Sequence, residues 1–190
     1  MRFFEASIAP GMSVPQAGQG MKPKTPQESL AISTHRVLPN DTNTLHNLFG
    51  GRLLEWMDVI AGVSAHRHCR GVVVTATVNH VAFHSAIPFG SIVTLEAKVS
   101  RAFDTSMEVF IDCFVEDQIS GERRKSNEAI YTFVAVNEVG RPTRVPPVVP
   151  ETELEKRRYE GALLRRQLAL VLSNKLEPGK ATELRKFCTS

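Results

Sequence analysis

The chain of 190 residues is short of cysteine, of net charge and of long apolar runs, and each shortage removes a class of protein. Its three cysteines, Cys69, Cys113 and Cys188, are scattered and odd in number, with no CxxC pair. They support neither a zinc site nor a disulfide framework, and a reducing, cytoplasmic setting is the expectation. The net charge of +3 is too small for a nucleic-acid-binding surface. A slight excess of Lys and Arg suits a phosphorylated small ligand equally well. No apolar run approaches the ~20 residues of a membrane span. Arg2 and two phenylalanines open the chain, but no apolar core follows them, so no secretion signal is expected.

What is present is a hydrophobic share of 42%, enough for the core of one domain with tails. Residues 1–27 hold Pro10, Gly11, Pro15, Gly18, Gly20, Pro23 and Pro26, the composition of a flexible tail. Residues 28–150 carry the domain. Residues 151–190 read as a charged helix to about Lys175, with fraying from Pro178 onward. Leu163, Leu164, Leu168 and Leu170 give that helix one apolar side.

The domain is organised around Asp41 to Cys69. A polar turn tightens at Gly50-Gly51, and Leu53, Leu54, Met57, Ala61 and Ala65 then recur at helical spacing. Gly71 marks the expected end of the helix. Asp58 falls about 10 Å from the helix start at 1.5 Å per residue, among Met57, Val59, Ala61 and Gly62. A carboxylate in such company is paired, hydrogen-bonded or functional. Arg52 and Arg67 are the candidate structural partners. His46, His66 and His68 resemble a metal cluster only at first sight, because His66 and His68 do not share a helix face. No metal site is expected.

A strand over Ser29–Leu38 precedes the helix, and four follow it: Val72–Phe83, Ser91–Arg101, Phe103–Glu116 and Arg123–Asn137. One apolar helix and a run of strands make an α+β domain, a helix wrapped by an antiparallel sheet. That order is what a hotdog fold looks like.

Several blocks carry a family resemblance. Asp41-Thr42-Asn43, Phe49-Gly50-Gly51 and Trp56-Met57-Asp58 resemble the acyl-CoA thioesterase (acyl-CoA hydrolase) family. Val73-Val74-Thr75-Ala76, Phe83, Gly90, Thr105-Ser106-Met107 and Thr132-Phe133-Val134-Ala135 match its later blocks in order. The chain departs from the family at His46, where glycine is common. Histidine reaches positive φ less readily than glycine, which bears on the path of the Asn43 loop.

The resemblance implies hydrolysis of fatty acyl-CoA to free acid and coenzyme A, with no cofactor. It implies Asp58 as general base or nucleophile and Asn43 orienting the water from the other subunit of a dimer. Backbone N–H groups at Gly50 and Gly51 would hold the thioester oxygen, where the helix dipole favours negative charge. Thr105 and Ser106 resemble the family's coenzyme A contact. Arg101, Arg124, Lys125 and Asn127 are candidates for its phosphates, with Arg123 beside them. The implied assembly is a dimer, and a trimer of such dimers, with no nucleic acid or membrane partner. A non-catalytic acyl-CoA-binding regulator of the same fold is the alternative. A hotdog dehydratase would need a histidine base, for which His46 is the only candidate, and the Met57-Asp58 pattern speaks against it.

Overall fold

The computed structural model describes residues 20–189. Five strands form one sheet: β1 (Ala31–Arg36), β2 (Val72–Phe83), β3 (Ile92–Ala102), β4 (Ser106–Glu116) and β5 (Arg123–Val136). Their order is β1-β3-β4-β5-β2, and every pairing is antiparallel. β1 and β2 are therefore the two edges. The helix α1 (Gly50–Cys69) lies across one face and touches all five strands. This is the hotdog architecture, and it positions everything that follows.

The two periodicities explain why helix and sheet meet as they do. In α1 the buried residues Leu53, Met57, Ile60, Ala61, Ser64, Ala65 and His68 recur three and four apart, one stripe facing the sheet. In β3, Val93, Leu95, Ala97 and Val99 are fully buried and alternate with half-buried neighbours. In β4 the face predicted to be apolar, Met107, Val109, Ile111, Cys113 and Val115, is buried throughout. Burial also pushes the Cys113 thiol up to about 12, so it stays an inert part of the core.

Element ends differ from the sequence-based expectation by a residue or two at most positions. At the end of α1 it is Arg70, at φ 55, and not Gly71 that takes the left-handed cap, its N–H on the His66 carbonyl. β2 begins at Val72, already paired with Val136, so the chain has to turn before Gly71. The first strand is shorter than predicted because Ser29 belongs to a 3-10 turn and the partner strand β3 begins only at Ile92, opposite Arg36.

Residues 1–19 of the predicted tail lie outside the described residues. The part from Lys24 to Ser29 is fastened to the domain. The Lys24 N–H donates to the Pro147 carbonyl, and Lys24 Nζ reaches the His68 carbonyl at 2.5 Å. Pro26 and Ser29 are buried, and the Ser29 hydroxyl accepts from the Val99 N–H.

The second face of the sheet is covered by α2 (Glu153–Leu172), which starts at a capping box between Thr152 and Glu155. Ion pairs fasten it there, beside the buried Ala162. Arg165 forks onto Glu108, Arg158 meets Asp112, and Lys98 meets Glu155. The predicted fraying beyond Pro178 is replaced by a further helix, α3 (Thr182–Thr189). Buried Gln167 of α2 makes the difference, since its Oε1 accepts from the N–H groups of Glu183 and Leu184. Those are first-turn donors that the helix itself cannot satisfy.

His68 closes the far end of α1. Its Nε2 donates to the Pro146 carbonyl at 2.8 Å, while Nδ1 is buried and unpaired. Burial holds the imidazole below its usual 6.5. The unfolded chain therefore binds the proton more readily than the folded one. Stability from this residue is fully present above about pH 6.5 and is lost as pH falls through the depressed value. Thermal melts from pH 7.5 to pH 5 should show a steeper loss for the parent than for His68→Gln, which keeps the donor without the titration. Equal slopes would remove His68 as the cause.

Candidate active site

Asp58 sits two turns into α1, half-buried, on the flank of the core stripe. Neither candidate arginine pairs with it. Arg52 binds Asp41 and Glu55, and Arg67 donates to the Leu30 carbonyl. Instead, Asp58 Oδ1 accepts from the Thr75 hydroxyl of β2 at 2.9 Å. The ladder between β2 and β5 shifts register between Thr75 and Thr77, a bulge beside the site that re-aims side chains along the edge strand.

Behind Asp58 lies Tyr131 of β5, 1% exposed, its hydroxyl on the Leu54 carbonyl at 3.2 Å. Burial pushes that phenol up to about 12, and the Asp58 charge adds to the shift. Tyr131 therefore stays protonated and fixes the first turns of α1. Sequence reasoning assigned no role to Thr75 or Tyr131. Thr75 stood inside a quoted block, but spacing alone could not place it against Asp58. The alternation Tyr131, Phe133, Ala135 was the signal that Tyr131 faces α1.

Gly50 and Gly51 form the first helical residues of α1, where amide N–H groups have no intrahelical carbonyl. Two exposed rings flank them. A Cβ on Gly51 would stand 2.6 Å from Phe49 Cε1, and one on Gly50 would stand 3.6 Å from Phe83 Cζ. Only glycine at 51 lets the Phe49 ring lie over the helix start.

Asn43 is exposed in the turn before the helix. Its Oδ1 accepts from the N–H groups of Leu45 and Asn47, an Asx turn. His46 adopts φ 55 in this loop, the positive φ that glycine would provide more readily. Its N–H donates to the Asn43 carbonyl, and its own carbonyl accepts from Phe89. Within one chain no hydrogen bond joins Asn43 to Asp58 among the described residues. Nor do His46, His66 and His68 converge: among the described residues no three His, Cys, Asp or Glu side chains could hold a metal.

The residues predicted to contact coenzyme A fall into two groups at opposite ends of β4. Ser106 opens β4 opposite Val134 of β5, and Thr105 precedes it, its carbonyl accepting from the Ala135 N–H. Arg101 lies beside them, stacked on Tyr159 with its carbon 4.1 Å from the ring centre. The other group lies near the far end. Arg124 donates to the Ser85 hydroxyl, Asn127 is buried and accepts from the Ser126 hydroxyl, and Lys125 sits between Asp112 and Glu128.

A central helix wrapped by an antiparallel sheet, with a carboxylate on that helix and a double glycine at its start, defines a hotdog-fold thioesterase. The Thioesterase superfamily description matches residues 45–122. The chain is 44% identical over 129 residues to an uncharacterised acyl-CoA thioester hydrolase of Bacillus subtilis, covering 68% of this chain and 75% of that one. It is 37% identical over 142 residues to the cytosolic acyl coenzyme A thioester hydrolase of Rattus norvegicus, covering 73% of this chain but 37% of that enzyme. Among solved structures, an apo-hexameric acyl-CoA thioesterase superposes with TM-score 0.75 at 40% identity, over 77% of this chain and 94% of that one. The acyl-CoA hydrolase of Staphylococcus aureus, solved with butyryl coenzyme A, coenzyme A and coenzyme A disulfide, does so with TM-score 0.75 at 35% identity, over 81% and 95%. Alanine variants of that hydrolase at one aspartate, one threonine and one asparagine are also solved. The protein belongs to the acyl-CoA thioester hydrolases of the thioesterase superfamily.

Proposed function

We propose that the protein hydrolyses fatty acyl-CoA to the free acid and coenzyme A, with Asp58 activating the attacking water. The observation that carries this reading is the Asp58–Thr75 pair, a carboxylate held by a hydroxyl and, among the described residues, without a cationic partner. The intervals along the chain between the substituted asparagine, aspartate and threonine of the S. aureus hydrolase equal those between Asn43, Asp58 and Thr75. Asp58 takes a proton from water as its oxygen attacks the thioester carbon. The resulting oxyanion rests on the N–H groups of Gly50 and Gly51 at the positive end of α1. The C–S bond then breaks, and the proton passes to the departing thiolate. Attack by Asp58 itself, through an anhydride that water opens, uses the same atoms. Only water and the protein's own groups take part.

Geometry supports a site shared between two subunits. Asp58 and Gly51 lie about 10 Å apart along α1, whereas a base and an oxyanion donor acting on one carbonyl must be neighbours. Two antiparallel copies of α1 would bring Asp58 of one to the glycines and Asn43 of the other. The surface for this exists. Among the described residues the outer edge of β2 is unpaired, with Val74 43% and Val78 49% exposed, and Val59 on the outer side of α1 is 64% exposed. A long open edge next to exposed valines is an interface in waiting. A dimer through β2, and a trimer of such dimers, is part of the proposal. So is a cytoplasmic location, with Cys69 and Cys113 as free thiols. Among the described residues no helix is long and apolar enough to cross a membrane.

The test is thiol release from acyl-CoA substrates of short, medium and long chain. Release from at least one of them is expected. Tight binding of all with no release would instead favour a non-catalytic acyl-CoA-binding regulator. Gly51→Ala should lower kcat roughly tenfold to a hundredfold, because the new methyl displaces the Phe49 ring from the helix start. Phe49 is exposed and has room to move, so the melting temperature should change little. An unaltered kcat would remove the helix start from the mechanism.

A further inference from the structure

We infer that Arg166 of α2 completes a phosphate-binding subsite with Arg101 and Arg144, which holds the nucleotide half of coenzyme A. The inference rests on the acyl-CoA reading above and gives α2 a part in ligand recognition. Tyr159, Arg101, Phe103 and Arg166 form one stack on the sheet face opposite α1. The Arg101 carbon is 4.1 Å from the Tyr159 ring centre and 5.7 Å from that of Phe103, and the Arg166 carbon lies 4.1 Å over Phe103. Two guanidinium groups thus share one ring.

Among the described residues neither guanidinium has a carboxylate within ion-pair distance. Arg101 Nη1 donates to the Tyr159 carbonyl, and Arg166 Nη1 donates to the buried Ser106 hydroxyl. Arg166 Nε is buried and has no hydrogen-bond partner among the described residues. The acid nearby is Asp104, which Arg144 already engages at 3.4 Å. Three arginines therefore face one aspartate around the Thr105–Ser106 turn.

The rest of α2 makes this exceptional. Arg158 and Arg165 of the same helix each meet a carboxylate, Asp112 and Glu108. An arginine as buried as Arg166, left with a neutral hydroxyl and a ring, carries a desolvation cost that an anion would offset. Burial, and after it the charge of Arg101, already weaken its hold on its proton. The fork geometry of guanidinium fits phosphate oxygens, and Ser106 is set to share them. The sheet separates the cluster from Asp58 of the same chain. Its role is therefore to hold ligand, and its loss falls on KM rather than kcat.

The experiment compares the parent, Arg166→Gln and Arg144→Gln on three thioesters of one acyl group: acyl-CoA, acyl-dephospho-CoA and acyl-pantetheine. Arg144 is largely exposed and its ion pair is with Asp104 rather than with a residue of α2, so its variant keeps the helix seated. Expected is a roughly tenfold rise in KM for acyl-CoA in Arg166→Gln, a smaller rise in Arg144→Gln, and kcat within twofold. For acyl-pantetheine, which has no nucleotide, the variants should match the parent. The dephospho substrate distinguishes the 3′-phosphate from the diphosphate as the group held. Equal KM rises on all three substrates would make Arg166 a mere fastening of α2, and unaltered KM for acyl-CoA would also overturn the inference. If the parent hydrolyses no thioester, the functional reading fails on its own. Calorimetric titration with adenosine 3′,5′-bisphosphate then decides the subsite. Binding that weakens in both variants, and with added inorganic phosphate, upholds it; no binding, or binding equal in all three proteins, overturns it.

Discussion

Asp58→Asn should lower thiol release about a thousandfold, within the range set by loss of a positioned base. Asparagine has nearly the same shape and still presents an oxygen to the Thr75 hydroxyl, so the local fold has no reason to move. What disappears is the capacity to take a proton from water, or to attack the thioester. Thr75→Ala leaves the carboxylate chemically intact but unheld, so its effect should be smaller, nearer tenfold. Size-exclusion chromatography on each variant separates lost chemistry from lost assembly. Turnover within tenfold of the parent in an intact Asp58→Asn oligomer would leave Asp58 as a structural carboxylate.

Arg165→Ala is expected to cost about 3 kcal/mol of stability. Glu108 is 3% exposed on β4 and is met from α2 by two arms of the guanidinium, at 2.9 and 2.7 Å. Its remaining partner is the Ser100 hydroxyl at 2.6 Å. Truncating Arg165 leaves a buried carboxylate with one neutral donor, which is the expensive way to break such a pair. Replacing both members, Glu108→Gln with Arg165→Met, removes the charge as well and should recover most of the loss. Urea unfolding midpoints for the parent, the single and the double variant make the comparison. A single variant within about 0.5 kcal/mol of the parent would mean that the pair does not fasten α2.

Much of the scaffold was legible along the chain because it is written in local periodicity. The stripe from Leu53 to Ala65 and the alternation from Val93 to Val99 state which surfaces meet. Element ends were less legible, since Arg70 caps α1 only because β2 must begin at Val72. The seat of α3 could not be foreseen, for it depends on Gln167 reaching across to two amides fifteen or more residues away.

For the candidate site the division falls elsewhere. Asp58 and the double glycine stand out in the sequence because a charge among apolar residues and a paired break in a helical pattern are both locally improbable. The partners of Asp58 do not. Whether it met Arg52, Arg67 or Thr75 depended on which strand the chain laid against α1, and only the sheet order, with β2 at an open edge, decided for Thr75. The same holds for the arginines of α2. In sequence Arg158, Arg165 and Arg166 are alike, a charged stretch of one helix. Packing on the sheet set two of them against carboxylates and the third against a ring and a hydroxyl. By itself the sequence determined the five strands, α1 with the stripe it buries, and the family, because these follow from neighbours along the chain. The tertiary structure alone decided which charges are neutralised, because ion pairing is settled by contacts between strands and helices distant in sequence.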